Sequence, residues 1–198
     1  LLRTCRQRVQ HGQRLLRRPR RRRDDLRRRP RRLQRPLRER LRLHERLLRR
    51  AEKLPPPEVR IAHGDFRPGN LAVDPDGRVR AVFDWELAML GDPLADLGWL
   101  LATWYAPGHH SVLTNVLMDA GDLATPDELV ERYAQNTTRD LSDIDWYTVM
   151  ACFKLGIILE GSNARAAAGL APKEIGDRLH IATVRLFERA LALMEGQR

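Results

Sequence analysis

The sequence predicts an α+β fold: a short β-hairpin with a polar loop before it, a mainly helical bundle after it, and a basic N-terminal tail. Three observations predict it. Residues 1–50 hold 22 Arg, no Lys and four acids (Asp24, Asp25, Glu39, Glu45), a net +18, whereas residues 51–198 hold 14 bases and 22 acids, a net −8. Two short runs with alternating apolar residues flank Asp74-Pro75-Asp76-Gly77, a strong turn signal with Gly placed for positive φ. From Leu94 onward the apolar residues recur at helical spacing. The overall charge of +10 therefore describes neither part of the chain.

The tail divides from the body near Ala51 to Pro57. Leu54-Pro55-Pro56-Pro57 cannot continue a helix and favours an extended spacer. This gives two regions: 1–57, an Arg-rich tail, disordered or part helical, and 58–198, the folded body. Within the tail, Arg17 to Arg23 is nearly pure base, and like charges at that density oppose compaction. Leu33, Leu37, Leu41 and Leu48 fall near one helical face, with Pro36 as a flaw. Three readings of the tail stay open: a solvated segment, a binder of phosphates on nucleic acid or an anionic membrane, or out-of-frame translation of GC-rich coding sequence. The missing Lys favours the last over the second, because either cation serves a phosphate. Residues 14–50 also lack any Phe, Tyr or Trp on which a base could stack.

Cys5 and Cys152 lie far apart with no CxxC pairing, which suits a reducing, cytoplasmic compartment. No apolar run reaches the roughly 20 residues of a membrane span. No secretory h-region follows the basic start, and the chain begins at Leu1, so a fragment or processed product is expected.

The chemistry concentrates in the centre. Val59 and Ile61 begin a short apolar strand leading into His63-Gly64-Asp65-Phe66-Arg67-Pro68-Gly69-Asn70. Leu71 to Val73 and Val79 to Phe83 read as the hairpin, which returns the chain to Asp84-Trp85-Glu86. Such a layout suits phosphoryl transfer, which needs a carboxylate beside the attacking hydroxyl and ligands for Mg²⁺ on the phosphates. Asp65 can accept the hydroxyl proton. Asn70 and Asp84, brought to one end by the hairpin, can offer the hard oxygen ligands that Mg²⁺ prefers. His-Gly-Asp alone is a weak signal; the whole order of loop, hairpin, Asp and Gly-Asp-Pro-x-x-Asp is a strong one.

The pattern His-Gly-Asp-x-x-x-x-Asn, a hairpin and an Asp resembles the aminoglycoside phosphotransferase (APH) family, whose fold is protein-kinase-like. The resemblance implies a kinase-like C-terminal lobe over 58–198, with ATP and Mg²⁺ as cofactors and a small-molecule hydroxyl as acceptor. Its catalytic loop parallels the kinase H-R-D-x-x-x-x-N loop, and its second Asp the Asp of D-F-G. Carried over by position, the base falls on Asp65 and the magnesium ligands on Asn70 and Asp84. His63 orients the loop, and Arg67 stands where it can reach the γ-phosphate. Glu86 replaces the Gly of D-F-G, so flipping of the activation-loop kind is not implied. Asp84-Trp85-Glu86 and Gly91-Asp92-Pro93-Leu94-Ala95-Asp96 look like the kinase domains beside or fused to acyl-CoA dehydrogenases. That implies a hydroxyacyl-CoA substrate and association with such a dehydrogenase. Asp92 or Asp96 would match the buried Asp that binds the catalytic-loop backbone, both in supporting roles. For Asp92 a second reading is a helix N-terminal acid beside Pro93.

Four helices follow. Leu94, Leu97, Leu100, Leu101 and Trp104 set one from Leu94 to Tyr105, ended by Pro107-Gly108. Thr125-Pro126-Asp127-Glu128 is a capping box opening a second, to about Gln135. Ser142-Asp143 caps a third, from Ile144 to about Ala168, with Trp146, Val149, Met150, Phe153, Ile157 and Ile158 as its apolar face. The fourth spans roughly Lys173 to Met194. Trp99 reads as core, His109-His110 as surface loop, and Glu160, Asn163 and Arg165 as a solvated face in preference to a substrate cleft.

Residues 1–62 contain one Gly (Gly12), no Lys before Lys53 and no strand pattern. They cannot supply the Gly-rich loop, Lys and Glu with which a kinase N-lobe grips ATP. Little activity is therefore expected from these 198 residues alone. The competing class is a non-catalytic, pseudokinase-like binding module whose basic tail meets nucleic acid, which the tail composition does not favour.

Overall fold

The computed structural model describes residues 31–55, 58–104 and 123–196. Side chains are described from Leu41 onward. Pro107-Gly108, His109-His110 and Arg17 to Arg23 lie outside the described residues. The chain forms two units, Leu1–Leu37 and Arg38–Arg198. Of the first unit, only the opening residues of a helix are described.

That helix, α1, covers Arg31–Ala51. Within the second unit its buried residues are Leu43 and Leu47, at 0% and 6% exposure, whereas Leu41 and Leu48 are more than half exposed. The apolar face expected on Leu41 and Leu48 is thus displaced to the i, i+4 pair 43 and 47. His44 stacks on Phe153, Arg46 donates to the carbonyl of Met194, and the indole Nε1–H of Trp146 donates to the carbonyl of Leu47. Residues 41–51, expected to belong to the tail, are therefore packed into the body. Their Arg side chains do not prevent this, because Leu43 and Leu47 bury one stripe while the guanidinium groups project outward or pair, as Arg50 does with Asp143.

Two small antiparallel sheets follow. Strand β1 (Arg60–Ala62) pairs with β4 (Met89–Gly91), with Ile61 opposite Leu90. Strand β2 (Leu71–Val73) pairs with β3 (Val79–Val82), the expected hairpin, with Leu71 opposite Val82 and an irregularity between Ala72 and Val73. Gly77 takes positive φ in the turn, and Asp74 closes it by accepting from the Arg78 amide. The β1–β4 pair has no counterpart among the expected elements. Met89–Gly91 is too short to show a strand period, and only the return of the chain past the loop places it beside β1.

The helices are α2 (Leu94–Thr103), α3 (Pro126–Ala134), α4 (Ile144–Ala167) and α5 (Lys173–Met194). Helix α3 opens with the expected capping box: Thr125 Oγ1 accepts from the Glu128 amide, and the Glu128 carboxylate accepts from the Thr125 amide. Those bonds hold the Glu128 carboxyl below its usual range. The cap expected for α4 differs. Ser142 bonds Asp140, Asp143 pairs with Arg50, and neither side chain caps the helix.

Helix α4 is the spine of the body. Val149, Ala151, Cys152, Leu155 and Leu159 are buried together with Trp99, Ala182, Phe187 and Ala190 from α2 and α5. Ile157 and Ile158, expected on the apolar face, are 45% and 50% exposed. Neighbours contact α4 around most of its girth, so a single 3.6-residue stripe does not predict its burial. Burial pushes the Cys152 thiol up to about 11.

Close approach of α2 and α4 depends on Gly98. A Cβ there would stand 2.6 Å from the Tyr147 carbonyl carbon and 2.7 Å from its oxygen. Backbone cannot yield as a flexible side chain does. Gly98→Ala is expected to destabilise the protein by about 2–3 kcal/mol through overpacking. Urea unfolding measures it as a lowered midpoint at unchanged slope; an unshifted midpoint would refute the contact. Arg189 from α5 adds a tie, donating to the carbonyls of Leu101 and Ala102 at the end of α2.

Candidate active site

The loop between β1 and β2 is pinned from three sides. From α2, Asp96 accepts the amide of His63 at 2.6 Å through Oδ2 and that of Gly64 at 2.8 Å through Oδ1. From the far end of the hairpin, His63 is tied to Phe83: its Nε2 lies 2.8 Å from the Phe83 carbonyl, while its Nδ1 faces the Asp65 amide at 3.2 Å. A carbonyl only accepts and an amide N–H only donates, so the proton sits on Nε2 and the ring is the neutral tautomer. His63 is 2% exposed, and the Trp85 ring packs 4.7 Å from it. From α4, Lys154 Nζ donates to the Gly64 carbonyl at 3.1 Å. Gly64 has φ +81°, and a Cβ on it would lie 2.3 Å from the Leu87 carbonyl oxygen, so no other residue fits.

This loop presents Asp65. Its Oδ1 accepts from the indole Nε1–H of Trp99 at 2.7 Å. Its Oδ2 accepts from Asn70 Nδ2 at 2.9 Å and from Arg67 Nε at 3.1 Å. Three donors from two segments fix the plane of the carboxylate, whose side chain is 15% exposed. Arg67 spans the loop: a Cβ on Gly69 would lie 2.6 Å from its Nη1. Asn70 also donates Nδ2 to the Asp65 carbonyl at 2.8 Å. Both of its partners are acceptors, which assigns the amide orientation and turns Oδ1 away from Asp65.

The hairpin sets Asp84 beside Asn70. Its ladder extends one step beyond the strands, the Phe83 amide donating to the Asn70 carbonyl at 2.8 Å. Phe83 is then held through both its amide and its carbonyl, and Asp84 turns out of the ladder into the left-handed region (φ 66°, ψ 53°). It is the one non-glycine residue with positive φ among the described residues. Such a conformation persists where the surroundings over-determine it, and it marks functional sites. Asp84 is exposed, with a 3₁₀ turn (Trp85–Leu87) directly after it.

The donor chemistry fits a magnesium ion. Asn70 Oδ1 and the Asp84 carboxylate are hard oxygens, and the backbone of Asn70 pairs with Phe83, the residue before Asp84. No cluster of three or more His, Cys, Asp or Glu that could hold a metal exists among the described residues. Mg²⁺ needs no such cage: it keeps several waters and takes one or two protein ligands plus substrate phosphates.

The structure therefore brings His63, Asp65, Arg67, Asn70, Asp84 and Asp96 together and leaves Asp92 outside. Asp92 accepts from the Leu94 amide at 2.9 Å, the helix-start role, and pairs with Arg139, which also reaches Glu58. Tyr147 completes this second cluster; burial first, and then the Asp92 carboxylate, push its hydroxyl up to about 12. Two residues of the site were not expected from sequence. Trp99 is core, as read, but it also bonds Asp65. The signal was available, since Asp96 and Trp99 stand three residues apart and share a helix face. Lys154 gave no local signal, lying 90 residues beyond Gly64.

A pinned loop carrying a carboxylate, followed by a hairpin that returns a second carboxylate to the loop's end, is the layout of the acceptor side of a kinase-like phosphotransferase. The family model of the phosphotransferase enzyme family, APH, matches residues 4–134, and the chain belongs to that family. The match runs through the Arg-rich segment as well as the loop. Among curated proteins, the chain is similar to acyl-CoA dehydrogenase family member 11 of Gallus gallus, at 32% identity over 152 residues, covering 72% of this chain and 20% of the relative. It is also similar to acyl-CoA dehydrogenase family member 10 of Mus musculus, at 33% identity, covering 56% and 11%. The chain thus spans a fifth or less of the length of these relatives. Among solved structures it is similar to a "putative aminoglycoside phosphotransferase" of Ralstonia eutropha JMP134, with TM-score 0.56 and 28% identity, covering 75% of this chain and 49% of that one. The α+β, mainly helical fold and the kinase-like family expected from the sequence are both found.

Proposed function

We propose that this chain carries the catalytic loop of an ATP- and Mg²⁺-dependent kinase that phosphorylates the hydroxyl of a hydroxyacyl-CoA. The observation that carries the reading is the Asp65 carboxylate, held by Trp99, Arg67 and Asn70 within one loop of Asp84. Asp65 takes the proton of the acceptor hydroxyl as its oxygen attacks the γ-phosphorus, and the bond to the β-phosphate oxygen breaks to release ADP. Asn70 and Asp84 would hold Mg²⁺, which would supply positive charge to neutralise the phosphates. Arg67, which bonds Asp65, would steady the charge on the γ-phosphate oxygens.

The acyl-CoA class rests on the relatives, which are named as acyl-CoA dehydrogenase family members. Association with a dehydrogenase module and a cytoplasmic location belong to the same proposal. Among the described residues no helix is long and apolar enough to cross a membrane. Residues 1–62 offer no Gly-rich loop or partnered Lys, so the 198 residues by themselves bind ATP weakly.

Transfer of label from γ-³²P-ATP tests the acceptor class, using the full-length encoded protein with Mg²⁺, a panel of short-chain hydroxyacyl-CoA esters and a panel of aminoglycosides. Labelled acyl-CoA and unlabelled aminoglycoside are expected. Label on the aminoglycosides alone would overturn the acceptor class, and no Mg²⁺-dependent transfer to either would favour a non-catalytic module.

A further inference from the structure

We infer that Trp99 and Lys154 form a positioning pair that aims the Asp65 carboxylate, a role resting on Asp65 being the base. The indole Nε1–H of Trp99 meets Asp65 Oδ1 at 2.7 Å. The ring is 5% exposed and belongs to the core cluster, so its position is set by packing on one side. On another side stands Lys154, with Nζ 4.6 Å from the ring centroid. The same ammonium donates to the Gly64 carbonyl at 3.1 Å, the residue directly before the base.

One cation therefore fixes both the backbone that carries Asp65 and the ring that bonds its carboxylate. A part-buried ammonium over an indole face holds the ring against tilting. An indole N–H is a donor only, and Trp99 makes the shortest bond to the carboxylate, at Oδ1. Asn70 donates to Oδ2, and Arg67 Nε reaches both oxygens, Oδ2 at 3.1 Å and Oδ1 at 3.3 Å, so Trp99 and Asn70 hold the two ends of the carboxylate. Holding the carboxylate in place matters because a misplacement on the scale of 1 Å costs about 100-fold in rate. Neither residue touches the reacting atoms; each acts through Asp65.

The test uses the full-length encoded protein with MgATP and a hydroxyacyl-CoA ester. It measures kcat, both KM values and the thermal midpoint for Trp99→Phe, Lys154→Met, Lys154→Arg and the Trp99→Phe/Lys154→Met double variant. Trp99→Phe is expected to lower kcat roughly 10- to 100-fold while both KM values hold. Lys154→Met is expected to lower kcat as well, and Lys154→Arg to restore most of it, since a guanidinium also donates to a carbonyl and stacks on an indole. The double variant should lose less than the product of the two single losses, because both residues act on the one carboxylate. Wild-type kcat in both single variants, equal losses in Lys154→Met and Lys154→Arg, or losses that multiply in the double variant would each overturn the inference. Should Trp99→Phe fail to fold, the half-buried Lys154 pair decides alone by the Met-against-Arg comparison. An Asp65→Asn enzyme with wild-type kcat is a different failure: it removes the base itself.

Discussion

Asp65→Ala is expected to lower kcat by about 10²–10⁴-fold, the contribution of a positioned general base. The expectation follows from how much structure converges on one carboxylate. Trp99, Arg67 and Asn70 each donate to it, and Asp96, His63 and Lys154 hold the loop from which it projects. The variant should keep its fold. Asp65 is only partly buried, and the donors it releases differ in what replaces it: Arg67 and Asn70 lie toward solvent or keep a second acceptor, as Asn70 does in the Asp65 carbonyl. Steady-state kinetics checks this as a fall in kcat with the KM for MgATP little changed, since Asn70 and Asp84 remain. A rise in the KM for MgATP together with the fall in kcat would point to a collapsed loop instead.

Asp96→Ala is the second large effect, and it acts on both stability and rate. Two backbone amides donate to this carboxylate, and hydrogen bonds to a charged group are each worth about 1.5–3 kcal/mol. Partial access of water to the freed amides reduces the loss, so a destabilisation of roughly 2–4 kcal/mol is expected. Asp96→Asn should rescue little. Its amide offers one oxygen where two N–H groups converge and sets its own N–H₂ against the other donor. The loop then loses the anchor before Asp65, and kcat should fall even at temperatures where the variant is folded. Urea unfolding gives the first quantity and the residual kcat gives the second. An Asn variant with wild-type stability would show that Asp96 is not the loop's anchor.

Much of the site was legible because its chemistry is local in sequence. His63, Asp65, Arg67 and Asn70 lie within eight residues, and the Asp74–Gly77 turn fixes the return to Asp84. Helix α3 was legible for a similar reason: its capping box is a local signal. Other features depend on contacts between distant segments. Asp92 and Asp96 sit in the same short run, and only the direction of α2 decides that Asp96 meets the loop while Asp92 caps the helix and pairs with Arg139. Lys154 reaches Gly64 from the middle of a helix whose sequence there reads as plain core. In α1, Leu43 and Leu47 are buried among Arg residues that suggested a solvated tail, because a two-leucine stripe suffices once α4 and α5 present a complementary surface. Charge density described the segment's composition, and packing decided the fate of its last third.

The division of labour between base and metal ligands is the centre of the account, and single-turnover transfer from γ-³²P-ATP in the full-length protein tests it most directly. Asp65→Asn should bind MgATP as the wild type does and transfer label at a rate lower by about 10²-fold or more. Asp84→Asn should lose Mg²⁺-dependent nucleotide binding. Wild-type transfer by Asp65→Asn, or unchanged MgATP binding and transfer by Asp84→Asn, would contradict the assignment of these two carboxylates.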